Sequence, residues 1–245
     1  MKKIVIPKKE LESFSKPDIT RVKESTLYYR GNHLFKVLNP ELRDRKDTIL
    51  KLERLQGKEL ILPEYLLYDE NGFIGYVMHF FKEHKQLEEF IFGKLPFEER
   101  KRICIELCRI FTSLKKQDFA YYDIHPFNIL YKDGDIKIAD MDHGIFRLNR
   151  IIDSLSDFEL FNNYSIIGNY HLALTILGLL FEDYRVNVLE AIKNNRRELI
   201  KYSPKRMKKL YKYITRSPMF EFDVSEYLED IDEDYINGAK LILKK

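Results

Sequence analysis

The chain of 245 residues contains no tryptophan and only two cysteines. Two thiols cannot build the disulfide framework of a small secreted scaffold. Cys104 and Cys108 stand four apart in an apolar helical pattern with Ile103, Leu107, Ile110, Phe111 and Leu114. They read as buried thiols of a reduced, cytoplasmic protein, and no further Cys or His lies nearby to make them a metal pair. Long hydrophobic runs are also missing: stretches such as Leu172 to Phe181 are too short to span a bilayer, so no membrane role is expected. The opening residues MKKIVIPKKELES carry charge without a long apolar region, which argues against a secretory signal. Glycine is absent between Val5 and Thr26, and the chain has no internal repeat or low-complexity linker. What is present is the composition of a folded protein, 44% hydrophobic and 33% charged with 16 Tyr and 17 Phe, which excludes extensive disorder. The length allows a sizeable core, as one large domain or as two lobes.

Charge of one sign is scarce overall, with a net of +3, but it is unevenly placed. Ten Lys or Arg lie between Lys193 and Arg216 against the single acid Glu198, and eight acids without a base lie between Glu221 and Asp234. The two segments read as mutually neutralising or as solvated helix faces. The sharper expectation is that Lys193 to Arg216 docks an acidic partner. Nucleic acid is disfavoured, since Tyr202, Tyr211 and Tyr213 are interleaved there without forming a stacking pattern or a known motif.

The densest chemistry lies in YYDIHPFNILYKDGDIKIADMDHG, Tyr121 to Gly144. Asp123 precedes Asn128 by five residues, and Asp140 follows Asn128 by twelve. Between them Lys132, Asp133, Gly134 and Asp135 interrupt two apolar runs, and Asp-Gly in that setting signals a hairpin that brings its ends together. Transfer of a terminal phosphate asks for a carboxylate at the attacking hydroxyl and oxygen ligands for magnesium. Asp123, Asn128 and Asp140 are of the right types to supply them.

This stretch resembles the protein-kinase-like superfamily, whose catalytic segment reads H-R-D-x-x-x-x-N, then a short hairpin, then D-F-G. The resemblance implies that Asp123 is the catalytic Asp, Asn128 the Asn holding a second magnesium, and Asp140 the metal Asp, with ATP and Mg2+ as cofactors. Tyr121 stands where the family usually has His. His125 stands two residues after the Asp, so that D-x-H-P-x-N is similar to aminoglycoside and choline phosphotransferases, and His125 is expected to hydrogen-bond the transferring phosphate. Asp140 is followed by Met141 and Asp142 rather than by glycine. A rival register makes Asp142, His143 and Gly144 the D-F-G counterpart; Asp140 is preferred because IKIAD fits the strand leading into the metal Asp, and Asp142 stays open as a second ligand.

The resemblance also implies an α+β, two-lobed fold, with residues 1–82 as a nucleotide-binding lobe of a small antiparallel sheet plus one helix, and residues 83–245 as a mainly helical lobe. Ser25 to Arg30 and His33 to Leu38 read as strands around a turn at Gly31 and Asn32. Lys36 lies in the second, where a cation needs an anion to be buried. In the family that lysine grips the α and β phosphates of ATP. Asn39-Pro40 starts a helix of about four turns that Gly57 stops. The resemblance implies that Lys36 pairs with a Glu on this helix, and at about 100° per residue Glu53 is the one that shares a face with Leu42, Ile49 and Gln56. Leu60 to Tyr68 and Phe73 to Phe81 read as a hairpin with an Asn-Gly turn. The end of FIGYVMHFF resembles the strand that enters the family's hinge, which implies Met78 at the back of the adenine pocket and His79 to Phe81, centred on Phe80, offering backbone groups to adenine. The family's glycine-rich phosphate loop is missing, and after Gly144 there is no A-P-E sequence.

The expected activity is therefore ATP- and Mg-dependent transfer of the γ-phosphate to a hydroxyl. The layout favours a Ser/Thr protein acceptor. His125 and the short segment after Gly144 favour a small-molecule alcohol, and the missing glycine loop suits a pseudokinase binding module.

Overall fold

The computed structural model describes residues 1–18, 24–147, 155–215, 223–229 and 231–244, with the side chains of 155–158 outside the description. Part of the segment facing the missing glycine loop (19–23), part of the segment after Gly144 (148–154), Arg216, and 221–222 and 230 of the acidic stretch therefore lie outside the described residues. The chain is α+β and divides into two compact units: Met1–Lys85 with Lys137–Asp142, and Gln86–Ile136 with His143–Lys245.

The first unit is built on a five-stranded sheet. Its strands are β1 (Lys2–Val5), β2 (Ser25–Arg30), β3 (His33–Leu38), β4 (Pro63–Asp69) and β5 (Gly72–His79), in the order β1-β4-β5-β3-β2. The sheet is mixed rather than antiparallel, because β1 runs parallel to β4. The charged run at the start of the chain hides this strand: three of its four residues are exposed or edge-facing, as an outer strand tolerates. In the β4–β5 hairpin the turn falls at Glu70 and Asn71, one residue earlier than Asn-Gly implies, since Asp69 pairs with Gly72 and the Asp69 carboxylate accepts the Asn71 N–H at 2.8 Å. One sheet face buries Phe35, Leu67 and Val77 against Ile6 and Leu11, the latter on the short helix α1 (Lys8–Leu11). The opposite face carries Leu34, Lys36 and Leu38 of β3 beside Tyr76 and Met78 of β5, all buried.

After Leu38 the chain makes a 3-10 segment Pro40–Arg45, a short α-helix α2 (Lys46–Lys51) and a second 3-10 turn Leu52–Arg54. Its buried positions are Ile49, Leu52 and Leu55, and at Leu52 the α-helix gives way to the tighter 3-10 winding. That shift in period decides where Glu53 points.

A two-residue strand β6 (Lys85–Gln86) precedes the helix α3 (Phe97–Lys116), which opens the second unit's core. α3 buries Phe97, Ile103, Cys104, Leu107, Ile110 and Leu114 along one stripe. Both cysteines are free and buried, and burial pushes the Cys108 thiol up to about 12. The strand β7 (Phe119–Tyr121) follows. Next, β8 (Ile129–Lys132) turns through Asp133 and Gly134, both at positive φ (45° and 91°), into β9 (Asp135–Ile138), as a type I′ hairpin needs. β10 (Gly144–Phe146) pairs antiparallel with β7.

The long helix α4 (Leu155–Phe181) passes beside β7, and Gly168 permits that approach: a Cβ there would sit 2.4 Å from the Tyr121 carbonyl oxygen. Its Glu159–Phe181 portion is long and apolar enough to cross a membrane by length and composition, longer than the Leu172 to Phe181 run alone suggests, and 61% of that window is buried inside the protein. α4 packs with α3 and with α5 (Arg185–Asn194), as a core helix does. α6 (Arg196–Tyr202), α7 (Lys205–Ile214) and α8 (Glu233–Leu243) complete the unit. The acidic helix α8 is capped by Asp232, whose carboxylate accepts the Tyr235 N–H at 2.7 Å.

Candidate functional site

In the first unit the register of β3 and β5 places Lys36 directly opposite Tyr76. Side chains opposed in this way share a face and reach the same groups. Gly75 makes the approach possible, since a Cβ there would meet the Lys36 carbonyl oxygen at 2.0 Å. The Lys36 ammonium donates to Asp140 Oδ1 at 3.0 Å and to Asp142 Oδ1 at 3.1 Å, and the Tyr76 hydroxyl donates to the same Asp142 oxygen at 2.8 Å. Arg45 stands 3.8 Å from Asp142 Oδ2 and 2.9 Å from Glu24.

Both aspartates meet one lysine because of the backbone at Asp140, which sits at φ 55° and leads into a 3-10 turn Met141–His143. A left-handed non-glycine residue costs on the order of 1 kcal/mol and persists where surrounding contacts hold it. The two carboxylates differ in access: the Asp140 side chain is 36% exposed, that of Asp142 0%. Burial works against the charge on Lys36, but Tyr76, Asp140 and Asp142 outweigh it and hold the ammonium well above the ordinary lysine range. Burial, followed by the Asp142 charge, pushes the Tyr76 phenol up, so it stays a donor at neutral pH.

Glu53 is not part of this cluster. Its carboxylate accepts from the Met1 amino terminus at 2.6 Å and its side chain is 60% exposed. The expectation for Glu53 assumed a continuous helix; in the 3-10 turn Leu52 takes the inward position and Glu53 turns outward. Met78 lies buried on the face that carries Lys36. The Phe80 N–H donates to the Asn32 carbonyl at 2.8 Å, because the β3–β5 ladder continues past His33 and His79 into the turn.

In the second unit the residues around Asp123 form a separate, tightly bonded loop. The Asn128 amide donates to Asp123 Oδ2 and to the Asp123 carbonyl, both at 3.0 Å, and the Tyr121 hydroxyl donates to that carbonyl at 3.1 Å. His125 Nε2 is 3.6 Å and His143 Nδ1 3.9 Å from the Asp123 carboxylate, beyond full hydrogen bonds. Burial alone would raise the Asp123 pKa; His125, His143 and the Asn128 amide more than reverse this and hold the carboxyl below the ordinary aspartate range. The loop is pinned from behind. His171 contacts the Tyr122 carbonyl at 2.7 Å, and Arg185 and Thr175 donate to the Ile124 carbonyl at 2.7 and 3.4 Å.

The structure therefore brings Lys36 and Asp140 together in one unit, and Asp123, His125 and Asn128 together in the other. Sequence reasoning passed over Tyr76, Arg45, His171 and Arg185, and placed His143 only in the rival register, not beside Asp123. Tyr76 could have been found by registering His33–Leu38 against Gly72–His79, whereas His171 and Arg185 carry no local signal. Among the described residues no group of three or more His, Cys, Asp and Glu side chains is placed to hold a metal ion. No protein-family model matches the chain, and no curated protein matches it.

Proposed function

We propose that the chain is an ATP- and Mg-dependent phosphotransferase of two-lobed, protein-kinase-like build that moves the γ-phosphate of ATP to a hydroxyl. The observation that carries this reading is the ion pair of the buried Lys36 with the partly exposed Asp140, 104 residues apart in sequence. A strand lysine and the aspartate of an IKIAD segment meet as a phosphate-gripping lysine and a metal aspartate would.

The donor chemistry fits magnesium. Mg2+ prefers oxygen ligands and is commonly held by one or two protein groups plus substrate phosphates, so a dense cluster of protein ligands is not required. Asp140, with its partly exposed carboxylate, would hold it in the first unit; Asn128 is the ligand that the sequence resemblance offers from the second. When bound, the ion would neutralise charge on the phosphates. Lys36 binds the α and β phosphates and Met78 lines the adenine site. Asp123, ionised at neutral pH, orients the acceptor hydroxyl and takes its proton. Asn128 keeps the Asp123 carboxylate in one rotamer through its amide. His125 donates a hydrogen bond to the transferring phosphate. These groups act by positioning and electrostatics, which is where most of the rate in phosphoryl transfer arises.

A Ser/Thr side chain of a protein is the favoured acceptor, in a cytoplasmic setting. The exposed Lys201, Lys205, Lys209 and Lys212 suit an acidic partner. The test is transfer of labelled phosphate from ATP with Mg2+ to protein acceptors and, in parallel, to aminoglycosides and choline. Asp123→Ala is expected to abolish transfer while nucleotide binding persists. Equal turnover in the variant, or no ATP-dependent stabilisation and no product with the native chain, would overturn the reading.

A further inference from the structure

Asp142 is a fully enclosed charge of the first unit. Its side chain has no solvent exposure, yet one of its oxygens accepts both from the Lys36 ammonium and from the Tyr76 hydroxyl, and the Arg45 guanidinium faces the other. A carboxylate so enclosed is stable as an anion only because the Lys36 ammonium and the Tyr76 hydroxyl donate to it and the Arg45 charge lies close by. The same enclosure bars it from a magnesium ion that keeps waters and takes substrate oxygens. Asp140 is the reverse case, a carboxylate that shares Lys36 but stays open to solvent over a third of its side chain.

Lys36 is itself buried and could not keep its charge in an apolar strand without a permanent counter-ion. Glu53 does not serve, since it faces out and pairs with Met1. The helical segment that follows β3 instead contributes a cation, Arg45, which reaches Asp142 on one side and Glu24 on the other. The order of charges is thus Glu24, Arg45, Asp142, Lys36, Asp140, alternating in sign throughout. The usual arrangement of a helix carboxylate against a strand lysine is inverted here: the helix supplies the cation, and the carboxylate comes from the segment after β9.

We infer that Asp142 is a positioning residue that fixes Lys36 for nucleotide phosphates, tethered by Tyr76 and Arg45, and that Asp140 alone of the two aspartates is the metal-binding one. In its functional part this rests on the phosphotransferase reading; the geometric part, the coupling of Asp142 to Lys36, does not.

Two measurements separate those parts. The first needs no nucleotide: a double-mutant cycle on unfolding midpoints with Lys36→Met and Asp142→Asn, repeated with Arg45→Gln, a less buried position, in case the Asp142 variant fails to fold. The losses are expected to be non-additive, the double variant being little worse than the worse single one. Additive losses would overturn the coupling. The second measurement compares KM for ATP, kcat and the half-saturating Mg2+ concentration. Asp142→Asn is expected to raise KM for ATP about tenfold or more at saturating Mg2+, equivalent to one decade of binding constant, and to leave half-saturating Mg2+ unchanged. Asp140→Asn is expected to shift the Mg2+ requirement. A shifted Mg2+ requirement in Asp142→Asn with an unchanged KM for ATP would make Asp142 a metal ligand and overturn the inference. If the native chain binds no ATP while the cycle still shows coupling, the phosphotransferase reading fails and the Asp142–Lys36 unit stands.

Discussion

Lys36 and Tyr76 face each other across adjacent strands and converge on a single oxygen, Asp142 Oδ1, at 3.1 and 2.8 Å. The site in the first unit thus depends on strand register as much as on residue identity. A slip of β5 by one residue would move Tyr76 to the opposite sheet face, among the apolar side chains packed on Phe35.

That dependence makes Gly75 a sensitive position. Gly75→Ala puts a methyl group 2.0 Å from the Lys36 carbonyl oxygen, so β3 and β5 must separate where Lys36 sits. The variant is expected to lose about 1–3 kcal/mol of stability by overpacking and to bind ATP more weakly. Urea unfolding and a nucleotide titration on the same preparation check both, and unchanged values in each would contradict the close approach.

Glu53→Gln serves as the contrasting case. Its carboxylate lies 60% exposed and pairs with the amino terminus, so its removal is expected to change stability by less than about 1 kcal/mol and to leave nucleotide affinity unaltered. A large loss of ATP affinity in this variant would restore Glu53 as the partner of Lys36.

Arg100 tests the second unit's core. Its guanidinium is buried, donates to the Leu180 carbonyl at 2.8 Å at the end of α4, and stands 3.2 Å from the Glu182 carboxylate. A cation at a helix C-terminus satisfies free carbonyls and opposes the helix dipole. Arg100→Met keeps volume but removes the donor at the Leu180 carbonyl and leaves Glu182 to Lys240, and an unfolding free energy lower by about 1–3 kcal/mol is expected from denaturant curves.

Asp123 sets a pH dependence with a definite sign. Its folded pKa lies below the ordinary aspartate value, so its contribution to stability is complete above that value and is lost as pH falls through the lowered one. Asp123→Asn removes this component. The fall in unfolding midpoint below about pH 4 is expected to be shallower in the variant than in the native chain, with parallel curves at neutral pH. Superimposable acid limbs would show that the carboxylate is not held by His125, His143 and Asn128.

Local pattern in the sequence was enough for several parts of this protein. β2 and β3 fall at the residues where alternation and the Gly31-Asn32 turn put them, and the Asp133-Gly134 hairpin forms because only a few residue pairs accept two positive φ angles. The bonds among Tyr121, Asp123 and Asn128 are likewise local, spanning at most seven residues. The α+β class was expected from the resemblance carried by the Tyr121 to Gly144 stretch rather than from periodicity. Tertiary structure alone decided the rest. β1 is parallel to β4 because a distant strand edge accepts it, not because of its own charged residues. The outward turn of Glu53 follows from the 3-10 winding that lets Ile49, Leu52 and Leu55 pack. The choice of Asp142 over Glu53 as the buried partner of Lys36 turns on contacts 106 residues apart and on a left-handed backbone at Asp140, and neither is written in any short stretch of sequence.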